Sequence, residues 1–419
     1  MKPLRTIILA AGRGVRMNSD LPKVLHPVAG KPMIRYGVDL ASAVSSAKTY
    51  VVVGFKNEDI RETLGSDGEI VVQKRFLGTA DAVRCAAFHF KNYKGDVLVL
   101  SGDTPLLEPR TIKQLIQKHR HVQAACTVLT AEVADACGYG RIVRDHRDGV
   151  ATIREERDAS PQEKEIREIN AGVYCFDAQK LFRLIPGLKV HRKKNEFYLT
   201  DTIGLLVDQG ETVETLKTTH AEEALGINTR EDLASAEAVI RKRILKNFMT
   251  KGITIVDPET TFIAADVQIG RDTVIRPFTI IENDVRIGRG CRIGPFCRLR
   301  PGTRLADCVE VGNFTEISRS HLGQRSLMKH FSFLGDARVG SRVNIGAGAV
   351  TANFDGKRKN RTTILDEAFI GSDSILVAPV RVGRRAATGA GAVLTPGHSI
   401  PAGRVAMGVP AKVISRRKF

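Results

Sequence analysis

From Ile263 onward an aliphatic residue returns at every sixth position, and few folds can accept that rhythm. Ile263, Ile269, Ile275, Ile281, Ile287, Ile293, Leu299, Leu305 and Val311 follow without a break, often with glycine or another small or polar residue behind. Hexapeptide repeats of this kind specify a parallel β-helix. Each flat face turns one aliphatic side chain inward, three faces close a coil, and stacked coils share one core. Nine unbroken hexads therefore make three full coils. The spacing is irregular around 317–338 and resumes at Val339 and Ile345. After a loop it returns at Ile364, Ile370, Leu376, Val382, Thr388 and Leu394. Periodicity alone does not give handedness.

Up to about residue 228 the chain follows another rule. Apolar runs at Thr6–Leu9, Thr49–Val53, Val97–Leu100, Ala125–Leu129 and Val173–Phe176 alternate with helical stretches such as Thr111–His119. That alternation predicts an α/β fold with a largely parallel sheet flanked by helices. Residues 230–249 read as one helix, with Ile240, Ile244 and Phe248 on its apolar side and charges elsewhere. The expected division is a first domain over 1–229, a linker helix over 230–251 and the repeat domain over 252–419.

Length and composition agree with this division. A chain of 419 residues holds two or three domains. No apolar run reaches the ~20 residues needed to span a bilayer. The N-terminal MKPLRTIILAAG enters a glycine loop where a secretory leader would carry a cleavage site, so no signal peptide is expected. Seven scattered cysteines without a CxxC pair indicate neither a zinc site nor a disulfide framework. The expected setting is therefore reduced and cytoplasmic. The net charge of +18 is concentrated late: from Ile253, 25 Lys and Arg stand against 14 Asp and Glu, a net of +11. Such an excess suits anionic small ligands and equally a nucleic acid surface. The cations are spread singly, with no tryptophan in the chain, so neither a nucleic acid nor a membrane is the expected partner.

Chemistry concentrates first in LAAGRGVRMNSDLPK, residues 9–23, directly after the strand-like Thr6-Ile7-Ile8. A strand running into a glycine-rich basic loop is a place to bind phosphate. Gly12 and Gly14 permit close backbone approach to an anion. Arg13, Arg16 and Lys23 add positive charge where a transferring phosphoryl group gains negative charge. The loop is neither G-x-x-x-x-G-K-[ST] nor G-x-G-x-x-G, since Met17 stands where the third glycine would be. Ligands of open α/β sheets bind beyond the carboxyl ends of strands, where Ser101-Gly102-Asp103 is also placed. Asp103 is a candidate ligand for a hard divalent cation such as magnesium.

Together with LAAGRGVRMNSDLPK, the segments QKRFLGTADA, LSGDTPLL, GYGRI, EINAG, EFYLTD and GINTR, in this order, resemble the bifunctional UDP-N-acetylglucosamine pyrophosphorylase/glucosamine-1-phosphate N-acetyltransferase family. The resemblance implies a Rossmann-like α/β nucleotidyltransferase followed by a left-handed parallel β-helix. It implies that the first half transfers UMP from UTP to N-acetylglucosamine 1-phosphate, releasing pyrophosphate and making a cell-wall precursor. Leu9, Ala10, Ala11 and Gly12, with Gln73, Gly78 and Thr79, would hold the uridine. Arg16 and Lys23 would steady the triphosphate, and Asp103 and Asn228 would hold Mg2+. Gly140, Glu155, Asn170, Tyr198 and Thr200 would receive the sugar nucleotide. Transfer of this kind needs positioning and charge neutralisation more than a protein nucleophile.

In the second half, IGPFCRLRPG, VGNFTEI, LGDARVGSRVNIGAGAVTANFDGK and IGSDSILVAPV resemble the acetyltransferase part of the same family. Carried over, His330 is the base that takes a proton from a sugar amine attacking the thioester of acetyl-CoA. Arg300, Asn344 and Lys359 would contact glucosamine 1-phosphate, and Asn353, Ser372 and Ala390 the acetyl-CoA. The resemblance also implies a homotrimer with acetyl-transfer sites at subunit contacts. Three positions depart from the family: Ser318 replaces a lysine, and Phe333 and Phe354 replace tyrosines. Arg319 stands beside Ser318, but neighbours in an extended coil are expected to point to opposite sides. Two alternatives stay open: a uridylyltransferase with a changed or lost acetyl acceptor, and a non-catalytic sugar-nucleotide-binding scaffold.

Overall fold

A computed structural model describes residues 2–12, 14–54, 58–191 and 195–414. The chain forms two compact units whose division falls inside the helix Arg230–Thr250, between Glu237 and Ala238; Ala29–Lys31 belong with the second unit.

The first unit is built on a sheet of β1 (Leu4–Ala10), β2 (Lys48–Val53), β3 (Glu69–Val72), β4 (Asp96–Ser101), β5 (Cys126–Glu132), β6 (Arg141–Arg144), β7 (Val150–Arg154), β8 (Glu168–Asp177) and β9 (Val213–Lys217). The main order is β9-β5-β8-β4-β1-β2-β3, with the β6–β7 hairpin attached through β8. Val97, Leu98, Val99 and Leu100 of β4 are all fully buried, as expected of a strand covered on both faces. Neighbours in the main sheet run parallel except at β8, which is antiparallel to both β4 and β5. The apolar run Val173–Phe176 is thus the reversed strand. Its register shifts between Asn170 and Tyr174, where Gly172 takes a φ of +70°. A bulge of this kind re-aims side chains, and it lies close to the site residue Asn170.

The second unit is a stack of short parallel strands on three faces. The first face begins with Thr254–Ile255, the second with Phe262–Ile263 and the third with Gln268–Ile269. Ile263 lies beside Ile281 and Ile281 beside Leu299, eighteen residues apart each time. The irregular stretch does not interrupt the stack. Arg304 lies beside His321 and Leu327 beside Asn344, seventeen residues apart, because the corners after Ile317 and Leu334 are one residue shorter. The loop after Ala352 then lengthens one coil, so that Asn344 lies beside Phe369. The inward column of the first face, Ile275, Ile293, Val311, Met328, Ile345 and Ile370, is buried throughout. At Gly312 a Cβ would collide with the carbonyl oxygen of Lys329 on the next coil, so only glycine fits there.

Candidate active sites

The loop after β1 turns on Gly14, whose φ of +62° is left-handed and whose Cβ would lie 2.7 Å from Cβ of Lys23. Gly12 has no described protein atom within 4 Å of a built Cβ, so its backbone faces open space. That space belongs to a cleft of about 580 Å3 lined by Leu9–Gly12, Lys23, Gln73, Gly78, Thr79, Asp103 and Tyr198. They include the whole set expected at the uridine, with Lys23 expected at the triphosphate, Asp103 at the metal and Tyr198 at the sugar. Gly78 explains how two of the motifs meet. Its φ of +94° lets the backbone pass so close to Phe197 that any side chain would strike the Phe197 carbonyl. Phe197 N–H then donates to Leu77 O at 2.7 Å and Leu199 N–H to Thr79 Oγ1 at 2.9 Å. Buried Gln73 is fixed by donating Nε2 to Gly78 O at 3.2 Å and to Asp81 Oδ2 at 2.8 Å.

At the cleft mouth the charged groups converge. Lys23 Nζ pairs with Asp103 Oδ2 and donates to Asn228 Oδ1 at 3.1 Å. Arg16 Nη2 donates to the same Asn228 oxygen at 2.9 Å. Asn228 is held from behind, its N–H donating to Asp232 Oδ2 at 2.8 Å. Ile227 N–H donates to Asp103 O at 2.9 Å, which ties GINTR to the end of β4. The Asp103 carboxylate and the Asn228 amide oxygen are hard donors close enough to share one ammonium. They suit a magnesium ion completed by phosphate oxygens. Among the described residues no cluster of three His, Cys, Asp or Glu could hold a metal on protein ligands alone. Arg13 lies outside the described residues.

Of the residues expected at the sugar only Tyr198 lines this cleft. Beyond its lining, Thr200 Oγ1 donates to Glu155 Oε1 at 2.8 Å, and burial raises the Glu155 carboxyl above its ordinary value. Asn170 Nδ2 donates to the Tyr174 hydroxyl at 2.6 Å, and its own N–H donates to Gly140 O at 2.9 Å. The Tyr198 ring lies 4.3 Å from that of His191, and burial pushes its hydroxyl up to about 12. Sequence reasoning gave no role to Phe76 and Glu196, which line the cleft together with Ser101, already placed at the end of its strand. It also missed Tyr139, whose hydroxyl meets the Gly226 backbone and feels Asp103 and Arg16. Phe76, Glu196 and Tyr139 stand inside QKRFLGTADA, EFYLTD and GYGRI, but a motif does not say which of its side chains face the site.

On the β-helix the register sorts the expected residues. His330, Ala347, Ser372 and Ala390 occupy one position of four successive coils, at the corner between the first and second faces. His330 is exposed there. Asn344 stands on the first face beside this corner. The other group lies across the second face, at its corner with the third. There Arg300 Nη1 pairs with Glu316 Oε1 at 2.8 Å, while its buried Nε has no hydrogen-bond partner among the described residues. Asn353 Nδ2 donates to Asp336 Oδ2, and Lys359 on the loop adds its charge to Asp336. One chain therefore does not bring its expected acetyl-transfer residues together. Phe333 is half-buried between the two corners, and Phe354 is exposed on the loop.

The expectation for Arg319 is corrected. Arg319 is not in extended backbone: its φ of +46° turns the corner, and Nη1 donates to the buried Ser318 hydroxyl at 2.8 Å. Its Nε and Nη2 grip Asp336 at 2.7 and 2.9 Å. Alternation of sides fails where the chain is left-handed. The guanidinium thus reaches the side of Ser318, already engaged by a carboxylate that it holds below the usual range.

A phosphate-cradling loop at the head of an α/β sheet, joined to stacked hexads carrying a histidine corner, defines a nucleotidyltransferase fused to a hexapeptide transferase. Residues 6–168 match the MobA-like NTP transferase domain, and residues 266–301 match the bacterial transferase hexapeptide with six repeats. Similar proteins include the bifunctional protein GlmU of Shouchella clausii, 43% identical with 93% of each chain covered. Those of Geobacillus thermodenitrificans and Pelobacter propionicus are each 42% identical. Coverage is 95% of both chains in the first, and 97% of this chain and 96% of the other in the second. The chain belongs to the GlmU family. It is a UDP-N-acetylglucosamine pyrophosphorylase and glucosamine-1-phosphate N-acetyltransferase, with the left-handed β-helix of hexapeptide transferases.

Proposed function

We propose that the two steps are performed by the residues described above. In the first unit the uracil and ribose lie on Leu9–Gly12, Gln73, Gly78 and Thr79. The sugar lies toward Gly140, Glu155, Asn170, Tyr198 and Thr200. Arg16 and Lys23 leave their contacts with Asn228 and Asp103 to neutralise the triphosphate as the sugar phosphate attacks the α-phosphorus. Asp103 and Asn228 would hold Mg2+, which when bound neutralises phosphate charge. The observation that carries this reading is the convergence of Arg16, Lys23, Asp103 and Asn228 on shared atoms at the cleft mouth.

In the second unit His330 takes the proton released when the amine of glucosamine 1-phosphate attacks the acetyl-CoA thioester, and the CoA thiol departs. The expected residues are split between two corners flanking the second face. Its outward side chains include Phe262, Ile280, Phe333, Val350, Ile375 and Val393. A face apolar except for its Arg298–Glu316 neighbours, between two half-sites, supports a homotrimer in which one protomer's His330 corner meets its partner's Asn353 corner. Seven unpaired cysteines, and no described helix able to cross a membrane, support a cytoplasmic setting.

Two variants test the assignments. His330→Ala should abolish thiol release from acetyl-CoA and spare pyrophosphate release. Lys23→Ala should do the opposite, slowing pyrophosphate release on the order of a hundredfold. Loss of both signals in either folded variant would overturn the assignment.

A further inference from the structure

Each short strand of the β-helix turns one residue outward, so each face carries a single file of side chains. On two faces neighbouring charges are opposite: Arg292 lies beside Glu310, and Arg298 beside Glu316. The third face breaks this rule. Arg286 lies beside Arg304, Arg304 beside His321, and His321 beside Arg338; after Thr363 comes Arg381. Like charges directly opposite one another destabilise a sheet. The other faces show that this backbone accepts a carboxylate in the same relation.

Compensation is sparse. Arg304 pairs with Asp284. Arg286, Arg338, Arg361 and Arg381 are exposed and have no acidic partner among the described residues. Arg338, Arg361 and Arg381, with His321 and Thr363, line a groove of about 520 Å3. The acid on that wall, Asp366, accepts the Ser341 N–H at 2.8 Å. Burial and then Arg338 hold the His321 imidazole below its ordinary range, so this rung offers a hydrogen bond more than a charge at neutral pH.

We propose that the third face binds a linear polyanion, a chain of phosphates laid along the ladder from Arg286 to Arg381. Five strand spacings make the ladder about 24 Å long. It is one residue wide, which fits a single chain better than a plane of lipid headgroups. No Phe, Tyr or Trp stands in the file, so nothing offers the stacking platform that single-stranded nucleic acid binders use. Charge is the means of recognition, and inorganic polyphosphate is the simplest ligand of that chemistry. This site is separate from both catalytic assignments and does not rest on them.

The test uses the full chain and inorganic polyphosphate, with affinity measured across a salt series. The variant Arg338→Thr with Arg381→Thr borrows the residue already tolerated at Thr363, so its melting temperature should not fall and both enzymatic activities should persist. Its affinity should drop at least about tenfold, and the slope of log affinity against log salt should shrink by about 1 to 2. Arg298→Thr, on the charge-balanced second face, should bind as the parent does. If the double variant fails to fold, Arg286→Thr with Arg361→Thr asks the same question. Absence of binding, equal loss in Arg298→Thr, or tighter binding to phosphatidylglycerol vesicles or a single-stranded oligonucleotide would overturn the proposal.

Discussion

Single side chains in the first unit are arranged so that charge waits for substrate. Lys23 and Arg16 rest on Asp103 and Asn228, oxygens suited to a cation, so ligand entry exchanges one set of ionic contacts for another. Glu155 yields a pH prediction. Burial raises its folded value above the ordinary 4.5, opposed by the Thr200 hydrogen bond. The folded state therefore holds a proton that the unfolded chain has lost, and stability falls as pH rises from about 4.5 through the folded value. Thermal unfolding of the parent against Glu155→Gln should show this slope flattened in the variant. An unchanged slope would mean the carboxyl is solvated. Legibility at this scale was uneven. Residues inside contiguous motifs, such as Gly78, Asp103 and Tyr198, could be placed from sequence. Tyr139, though inside GYGRI, and Arg319 could not, because the role of one depends on packing and that of the other on a left-handed corner that reverses strand alternation.

At the scale of elements, the hexad made the β-helix legible far ahead of its details. The irregular spacing near Ile317 and Leu334 concealed two shortened corners over which parallel register continues. Side-chain volume inside the stack decides its stability. Ile293→Ala should cost about 2–5 kcal/mol by opening a cavity in a closed column. Gly312→Ala should cost about 1–3 kcal/mol by overpacking against the next coil. Both are measurable by denaturant unfolding, and a cost near zero for either would contradict the close stacking described. Glu367 ties coils by charge, accepting from Arg342, Arg384 and Arg385, and is pulled down to about 2 by those hydrogen bonds. Its contribution is complete above 4.5 and is lost as pH falls toward 2. Glu367→Gln should therefore lower the melting temperature at neutral pH and leave it little changed near pH 2.

For the whole molecule, the two periods of the sequence already separated two units with different chemistry. What periodicity could not supply was partnership. The residues expected at the acetyl site stand on two corners of one prism, and four of the scattered arginines, Arg286, Arg304, Arg338 and Arg381, fall in one file on a third face. Both facts, the split corners and the run of like charges on one face, need the register of the stack. The account's central claim is that one chain both acetylates and uridylylates its sugar phosphate. The most direct measurement supplies purified protein with acetyl-CoA, glucosamine 1-phosphate, UTP and Mg2+, and follows free thiol, pyrophosphate and the nucleotide sugar together. Thiol first, then pyrophosphate with UDP-N-acetylglucosamine as the product, is the predicted result. Pyrophosphate only when N-acetylglucosamine 1-phosphate is added, with no thiol released from glucosamine 1-phosphate, would contradict it.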